Sequence, residues 1–203
     1  MDILRPETPT HGRVLYEARG EERVLVGFHG YAERAETHLE ELHKIEGTSG
    51  WSLASVQSLN RFYTRGGDVV GNWMTSLDRE LAIADNIEYV RRVMAALPPA
   101  KTLVFIGFSQ GASMAARAAA AIRCDGLIIL GGDLPPDVKV DTVQLPPVLI
   151  ARGKKDDWYT DQKFKDDLRF LADRARPLEF EGGHEWSDAF RAAATEFLNG
   201  LIR

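Results

Sequence analysis

Cysteine is the scarcest reactive residue in this chain, with Cys124 alone among 203 residues. A single thiol excludes an intramolecular disulfide. Flanked by Arg123 and Asp125, it stands outside any Cys/His spacing that ligates a metal, so it reads as structural or incidental. Long apolar runs are missing too: no stretch approaches the roughly 18 residues of a membrane span. The opening Met1-Asp2-Ile3-Leu4-Arg5-Pro6-Glu7 has neither the basic nor the apolar region of a signal peptide. A soluble, cytoplasmic protein without stable membrane insertion is the expectation. Nor is basic charge in excess. With 25 Lys and Arg against 30 Asp and Glu, the net charge of -5 offers nothing that would attract a phosphate backbone, which argues against a nucleic-acid partner. Internal repeats and low-complexity linkers are also lacking, and at this length one domain over residues 1–203 is expected.

What is present is an alternation of short β-like runs with longer helical patterns. The runs at 23–28, 53–58, 101–106, 127–130, 147–151 and 177–181 read as strands, and 13–18 as an edge strand before them. Between them, 36–46 carries Leu39, Leu42 and Ile45 at helical spacing. Residues 77–97 carry Ile83, Ile87, Val90, Met94 and Leu97 on one face and stop at Pro98-Pro99. Residues 110–122 are dense in alanine, 160–172 turn Phe164, Leu168 and Leu171 inward, and 187–201 close the chain as a helix. Strands separated by helices need crossovers, so the expected class is α/β with a mostly parallel sheet and helices on both faces.

At the end of the run 101–106 stands Gly107-Phe108-Ser109-Gln110-Gly111, a G-x-S-x-G between a buried strand and a helix. Such a turn exposes the serine hydroxyl at strained backbone angles, with glycines where side chains would clash, and faces it toward free N–H groups at a helix start. A serine nucleophile needs a base and an acid to orient that base. His184, in Gly182-Gly183-His184-Glu185 between the last strand and last helix, can reach back to Ser109. His38 and His43 on a charged helix, and His11 in the N-terminal arm, read as surface residues. For the acid, Asp156 and its neighbour Asp157 follow the strand 147–151 and give the chain order Ser, Asp, His, while Asp133 after 127–130 is a third candidate.

With these residues in hand, the chain resembles the carboxylesterase/phospholipase branch of the α/β-hydrolase superfamily, which includes small bacterial carboxylesterases and acyl-protein thioesterases. Phe28-His29-Gly30-Tyr31 resembles that group's H-G turn, Gly107–Gly111 its G-F-S-Q-G elbow, Gly153-Lys154-Lys155-Asp156 its G-x-x-D acid loop, and Gly183-His184-Glu185 its histidine loop. The resemblance implies the α/β-hydrolase fold and selects Asp156 as the triad acid. It also implies an oxyanion hole made by the backbone N–H groups of Tyr31 and Gln110, and it calls for no metal or cofactor. Two stretches depart from the pattern. Leu59-Asn60-Arg61-Phe62-Tyr63 stands where the group has a proline-containing stretch, and Asp157-Trp158-Tyr159-Thr160 is more aromatic than its usual counterpart. The chain leaves little length for a lid, so an open cleft for small or exposed esters is expected.

Loop positions Phe62, Tyr63, Trp73, Met74, Leu134, Trp158 and Trp186 are candidates for an apolar substrate pocket, with core or surface packing as the plainer alternative. Arg61 and Arg65 are candidates to meet an anionic substrate, although loop arginines are usually solvated. The expected activity is cleavage of a small-molecule carboxylic ester through an acyl-enzyme. Thioester hydrolysis by the same residues is the nearest rival, and a ligand-binding protein with little turnover is the rival from another class. The sequence leaves the oligomeric state open, a homodimer included.

Overall fold

The computed structural model describes residues 1–19, 22–140 and 142–202. Seven strands form one sheet in the order β1 (Arg13–Glu17), β3 (Ser52–Gln57), β2 (Arg23–Phe28), β6 (Thr102–Phe108), β7 (Gly126–Leu130), β8 (Val148–Gly153) and β9 (Ala175–Phe180). Only β1 runs antiparallel to its neighbour; all other pairings in this sheet are parallel. Helices α1 (Ala35–His43), α2 (Arg79–Ala96), α3 (Gln110–Ala121), α4 (Asp161–Leu171) and α5 (Asp188–Gly200) make the crossovers and the closing element.

A central strand covered on both faces must be apolar at every position, and its side chains must alternate between two cores. In β6, Leu103 and Phe105 point to the core under α2, α3 and α4, while Val104, Ile106 and Phe108 point to the core under α1 and α5. This is the α/β-hydrolase fold that the resemblance implies, and no large lid interrupts the described residues. The chain leaves β2 toward β3 on one side and later returns to lay β6 on the other. The carboxyl ends of β2 and β6 therefore flank a switch in strand order, the place where open α/β sheets form ligand crevices. Phe28 pairs with Gly107 in that register, which brings His29-Gly30-Tyr31 beside Ser109.

Three features differ from the sequence-based expectation. Residues 60–72, expected as loop, contain an antiparallel hairpin, β4 (Asn60–Tyr63) with β5 (Val69–Asn72). Its exposed positions lack clean alternation, which hid it. In α2 the buried face is centred on Asn86, Tyr89, Val90 and Val93, with Ile83, Ile87 and Met94 at its margin. Asn86 tolerates burial because its amide donates to the carbonyls of Trp73 and Ala82. His38, expected on the surface, is buried between α1 and β2, and the absence of a side chain at Gly27 makes room for it. Burial holds the His38 imidazole neutral, down to a pKa of about 3.

Cys124 is half-buried, and burial pushes its thiol up to about 12, which keeps it unreactive. No helix among the described residues is long and apolar enough to cross a membrane.

Candidate active site

The strand-to-helix turn at the end of β6 holds Ser109 at φ 56° and ψ -120°, a conformation that ordinary residues avoid. Its two glycines are required by close approach. A Cβ on Gly107 would lie 2.1 Å from the Gly111 carbonyl oxygen, and one on Gly111 would lie 2.0 Å from that of Phe28. The turn is further pinned by the Ser109 N–H donating to Leu130 O at 2.9 Å. Consequently the hydroxyl stands outside the sheet at the start of α3, where the first N–H groups have no carbonyl within the helix.

His184 lies in the loop between β9 and α5. Its Nε2 is 2.8 Å from Ser109 Oγ, and its Nδ1 is 2.8 Å from Asp156 Oδ2. Since a carboxylate only accepts, Nδ1 carries the proton and Nε2 is left to accept from the serine hydroxyl. The ring is set by Phe108 at 4.9 Å between centroids. Asp156 has no exposed side-chain surface, and its other oxygen accepts the N–H groups of Trp158 and Tyr159 at 2.9 Å each. The acid and histidine loops are sewn together by Lys154 N–H to Phe180 O and Lys155 N–H to Gly182 O. The other two candidate acids make no hydrogen bond with the histidine among the described residues: Asp157 is exposed, and Asp133 lies 3.9 Å from Lys163 Nζ.

Beside Ser109, the turn after β2 is held by a group of polar contacts. Buried His29 donates from Nδ1 to Gly30 O at 2.7 Å and accepts at Nε2 from Ser58 N–H and the Gln57 amide. Burial lowers its pKa, so it stays neutral in this role. Glu33 closes the turn by accepting the Gly30 N–H at 2.7 Å, and its half-buried setting raises its carboxyl above the usual range. Ala32 takes φ 57°, stabilised by its N–H on Gly71 O, with the Gly71 N–H returned to Glu33 O. The turn and the β4–β5 hairpin are thus one unit. Gln110 contributes through its side chain as well: Oε1 accepts the Trp73 N–H and Nε2 donates to Met74 O.

Of the pocket candidates, Trp73, Met74 and Leu134 are buried in the core with residues of α2, α3 and α4. Trp73 donates its indole N–H to His29 O at 2.8 Å. Phe62 packs its ring on exposed Tyr31 at 5.8 Å between centroids, and Tyr63 and Trp158 are each 76% exposed. Trp186 is partly buried, in edge contact with His38 and Phe190. Arg61 donates from Nη2 to the His11 carbonyl at 3.2 Å. Reasoning from sequence missed Gln57, Ser58, Glu33, Tyr159 and Asp167, which act through polar contacts that no short motif encodes.

A profile of the family described as "Serine hydrolase (FSH1)" matches residues 40–186, a stretch that includes Ser109, Asp156 and His184. The chain belongs to that serine hydrolase family. A search of curated protein sequences found no match. Among solved structures, the chain is similar to esterase PE8, at 21% identity and a TM-score of 0.76 over 94% of this chain and 98% of that one. It is also similar to Zea mays acyl-protein thioesterase 2 (16%, 0.79, 95% and 100%) and to the Bacillus cereus carboxylesterase (17%, 0.74, 94% and 95%). At those identities the likeness is one of fold.

Proposed function

We propose that this serine hydrolase cleaves small carboxylic esters through an acyl-enzyme on Ser109. The observation that carries the reading is the continuous line from Asp156 through His184 to Ser109, two contacts of 2.8 Å each, ending at a helix start. As Ser109 Oγ attacks the carbonyl carbon, its proton passes to His184 Nε2. The carbonyl electron pair moves onto oxygen, where the N–H groups of Tyr31 and Gln110 receive the charge. Asp156 stabilises the imidazolium and keeps its own charge. Collapse expels the alcohol with the proton from Nε2. Water then attacks the acyl-enzyme by the same route, releasing the acid and restoring Ser109.

The same reading takes residues 1–203 as one hydrolase domain working in the cytoplasm, with a small-molecule ester as its partner. It also takes the exposed aromatic residues Tyr31, Tyr63 and Trp158 as the rim of an open cleft. Labelling with a fluorophosphonate, followed by assays on p-nitrophenyl esters of rising chain length, tests it. Ser109→Ala is expected to abolish labelling and to lower turnover by roughly a thousandfold or more. Labelling that persists in this variant, or a wild type inert to every ester, overturns the reading. Matched oxygen and sulfur esters decide between esterase and thioesterase.

A further inference from the structure

The acid loop is tied to a buried polar cluster that the hydrolytic mechanism does not use. Asp167, on the inner face of α4, has no exposed side-chain surface. Its Oδ2 accepts the Tyr159 hydroxyl at 2.7 Å and the Leu134 N–H at 3.1 Å, and Lys139 Nζ lies 2.5 Å from Oδ1. Burying a carboxylate costs several kcal/mol, and apolar residues filling the same volume would often be at least as stable. The position therefore calls for a role other than stability. Two loops meet on Asp167, and both flank His184. Leu134 belongs to the loop after β7, where Gly131 lies so close that a Cβ there would be 3.1 Å from His184 Cε1. Tyr159 belongs to the acid loop.

Tyr159 is held at three points. Its hydroxyl is on Asp167, its carbonyl accepts from buried Arg152 Nε at 2.9 Å, and its N–H donates to Asp156 Oδ1 at 2.9 Å. Only φ and two side-chain torsions separate the hydroxyl from the N–H, so holding the buried ring at its hydroxyl and the backbone at its carbonyl together restrains the direction in which the N–H points. Arg152 is restrained in turn by Glu179 at 2.7 Å. We propose that Asp167, acting through Tyr159, is a positioning residue that holds Asp156 in register with His184. This rests on the reading of Asp156 and His184 as acid and base. It adds the device that keeps the acid aimed.

The test uses Tyr159→Phe and Asp167→Asn in the full chain, with two readouts. One is the split between kcat and KM on a p-nitrophenyl ester. The other is the low-field Nδ1 proton of His184 in the NMR spectrum, assigned by its loss in Asp156→Asn, which reports the Asp156–His184 contact whether or not the protein turns over. Tyr159→Phe is expected to lower kcat about tenfold with KM within twofold, because small misplacements of a catalytic group are amplified in rate. It should also shift or broaden the low-field proton. Asp167→Asn keeps an oxygen for the hydroxyl and should fall between Tyr159→Phe and the wild type. A folded Tyr159→Phe, checked by thermal melting, whose kcat and low-field proton match the wild type overturns the proposal. If Ser109→Ala retains activity, the acyl-enzyme reading fails instead, and the proton alone still decides whether Tyr159 positions Asp156.

Discussion

On the proposed mechanism the acid loop behind His184 and the turn after β2 beside Ser109, the proposed oxyanion turn, would serve the same carbonyl from opposite sides, and the two are held by different means. Asp156, Tyr159 and Asp167 are interior residues joined by hydrogen bonds to buried partners. The oxyanion turn has buried supports in His29 and Gln57, yet Tyr31 is 61% exposed and leans on Phe62 of a surface hairpin. The difference matches the demands that the proposed mechanism makes on each side. A charge that must stabilise an imidazolium gains from a dry, fixed setting, whereas a turn that meets substrate must leave room for it. Changes on the buried side should therefore act on kcat, and changes on the exposed side should fall increasingly on KM and chain-length preference.

The sharpest break of that comparison is Asp156→Asn. An amide cannot hold the required histidine tautomer, so kcat should fall about 10⁴-fold with KM little changed. Asp157→Asn, on an exposed neighbour, should stay within twofold. Steady-state kinetics on the two variants check both values; a larger loss in Asp157→Asn would assign the acid to the wrong carboxylate. On the oxyanion side the corresponding variant is Glu33→Ala, which removes the acceptor that closes the turn onto Gly30 N–H. Deleting an oxyanion donor costs 10²–10³ in rate, so loosening one should cost roughly tenfold to a hundredfold, and Glu33→Gln, which retains an acceptor, less. Equal rates for wild type and Glu33→Ala would mean that the hairpin bridge alone fixes the turn.

How much of this was legible in the sequence divides along the same line. The parallel strands were readable because burial on both faces demands continuous apolar runs such as Leu103–Ile106. The meeting of Ser109 and His184 was readable because the elbow imposes glycines and the histidine loop follows a recognisable strand. Asp156 needed the family pattern, since composition cannot tell it from Asp157. The hairpin at 60–72 was not readable, because its residues are mostly exposed and tertiary contacts with Glu33 and Ala32 fix it. Asp167 and His38 were hidden for a related reason. On helices rich in charge they look like solvated residues, and only packing shows that they point inward.

His38 sharpens the contrast within the buried side, because unlike Asp156 it is a buried group whose polar side-chain atoms find no hydrogen-bond partner among the described residues. It faces Gly27 of β2 and Trp186 of the histidine loop, and nearby His29 opposes its protonation further. Its pKa of about 3 lies below the unfolded value of 6.5, so the unfolded chain takes up the proton first and stability is lost as pH falls below about 6.5. At pH 5 the loss should be about 2 kcal/mol, at 1.4 kcal/mol per unit. His38→Leu should abolish that part of the acid sensitivity, measured as the change in urea midpoint between pH 7.5 and pH 5. A midpoint whose pH dependence is the same in both proteins would place the acid lability elsewhere.

The smallest effect belongs to the exposed rim, and it tests the other end of the comparison. Phe62→Ala removes the ring against Tyr31 without touching the bridge from Gly71 to Ala32 and Glu33. An aromatic pair contributes about 0.5–1.5 kcal/mol beyond the area it buries. If the rim meets the acyl or alcohol chain, KM should rise a few-fold for long p-nitrophenyl esters and hardly at all for acetate, with kcat nearly constant. A fall in kcat equal across chain lengths would instead mean that the ring holds the Tyr31 N–H in place. In that case the exposed side would be as much a part of the catalytic frame as the buried one.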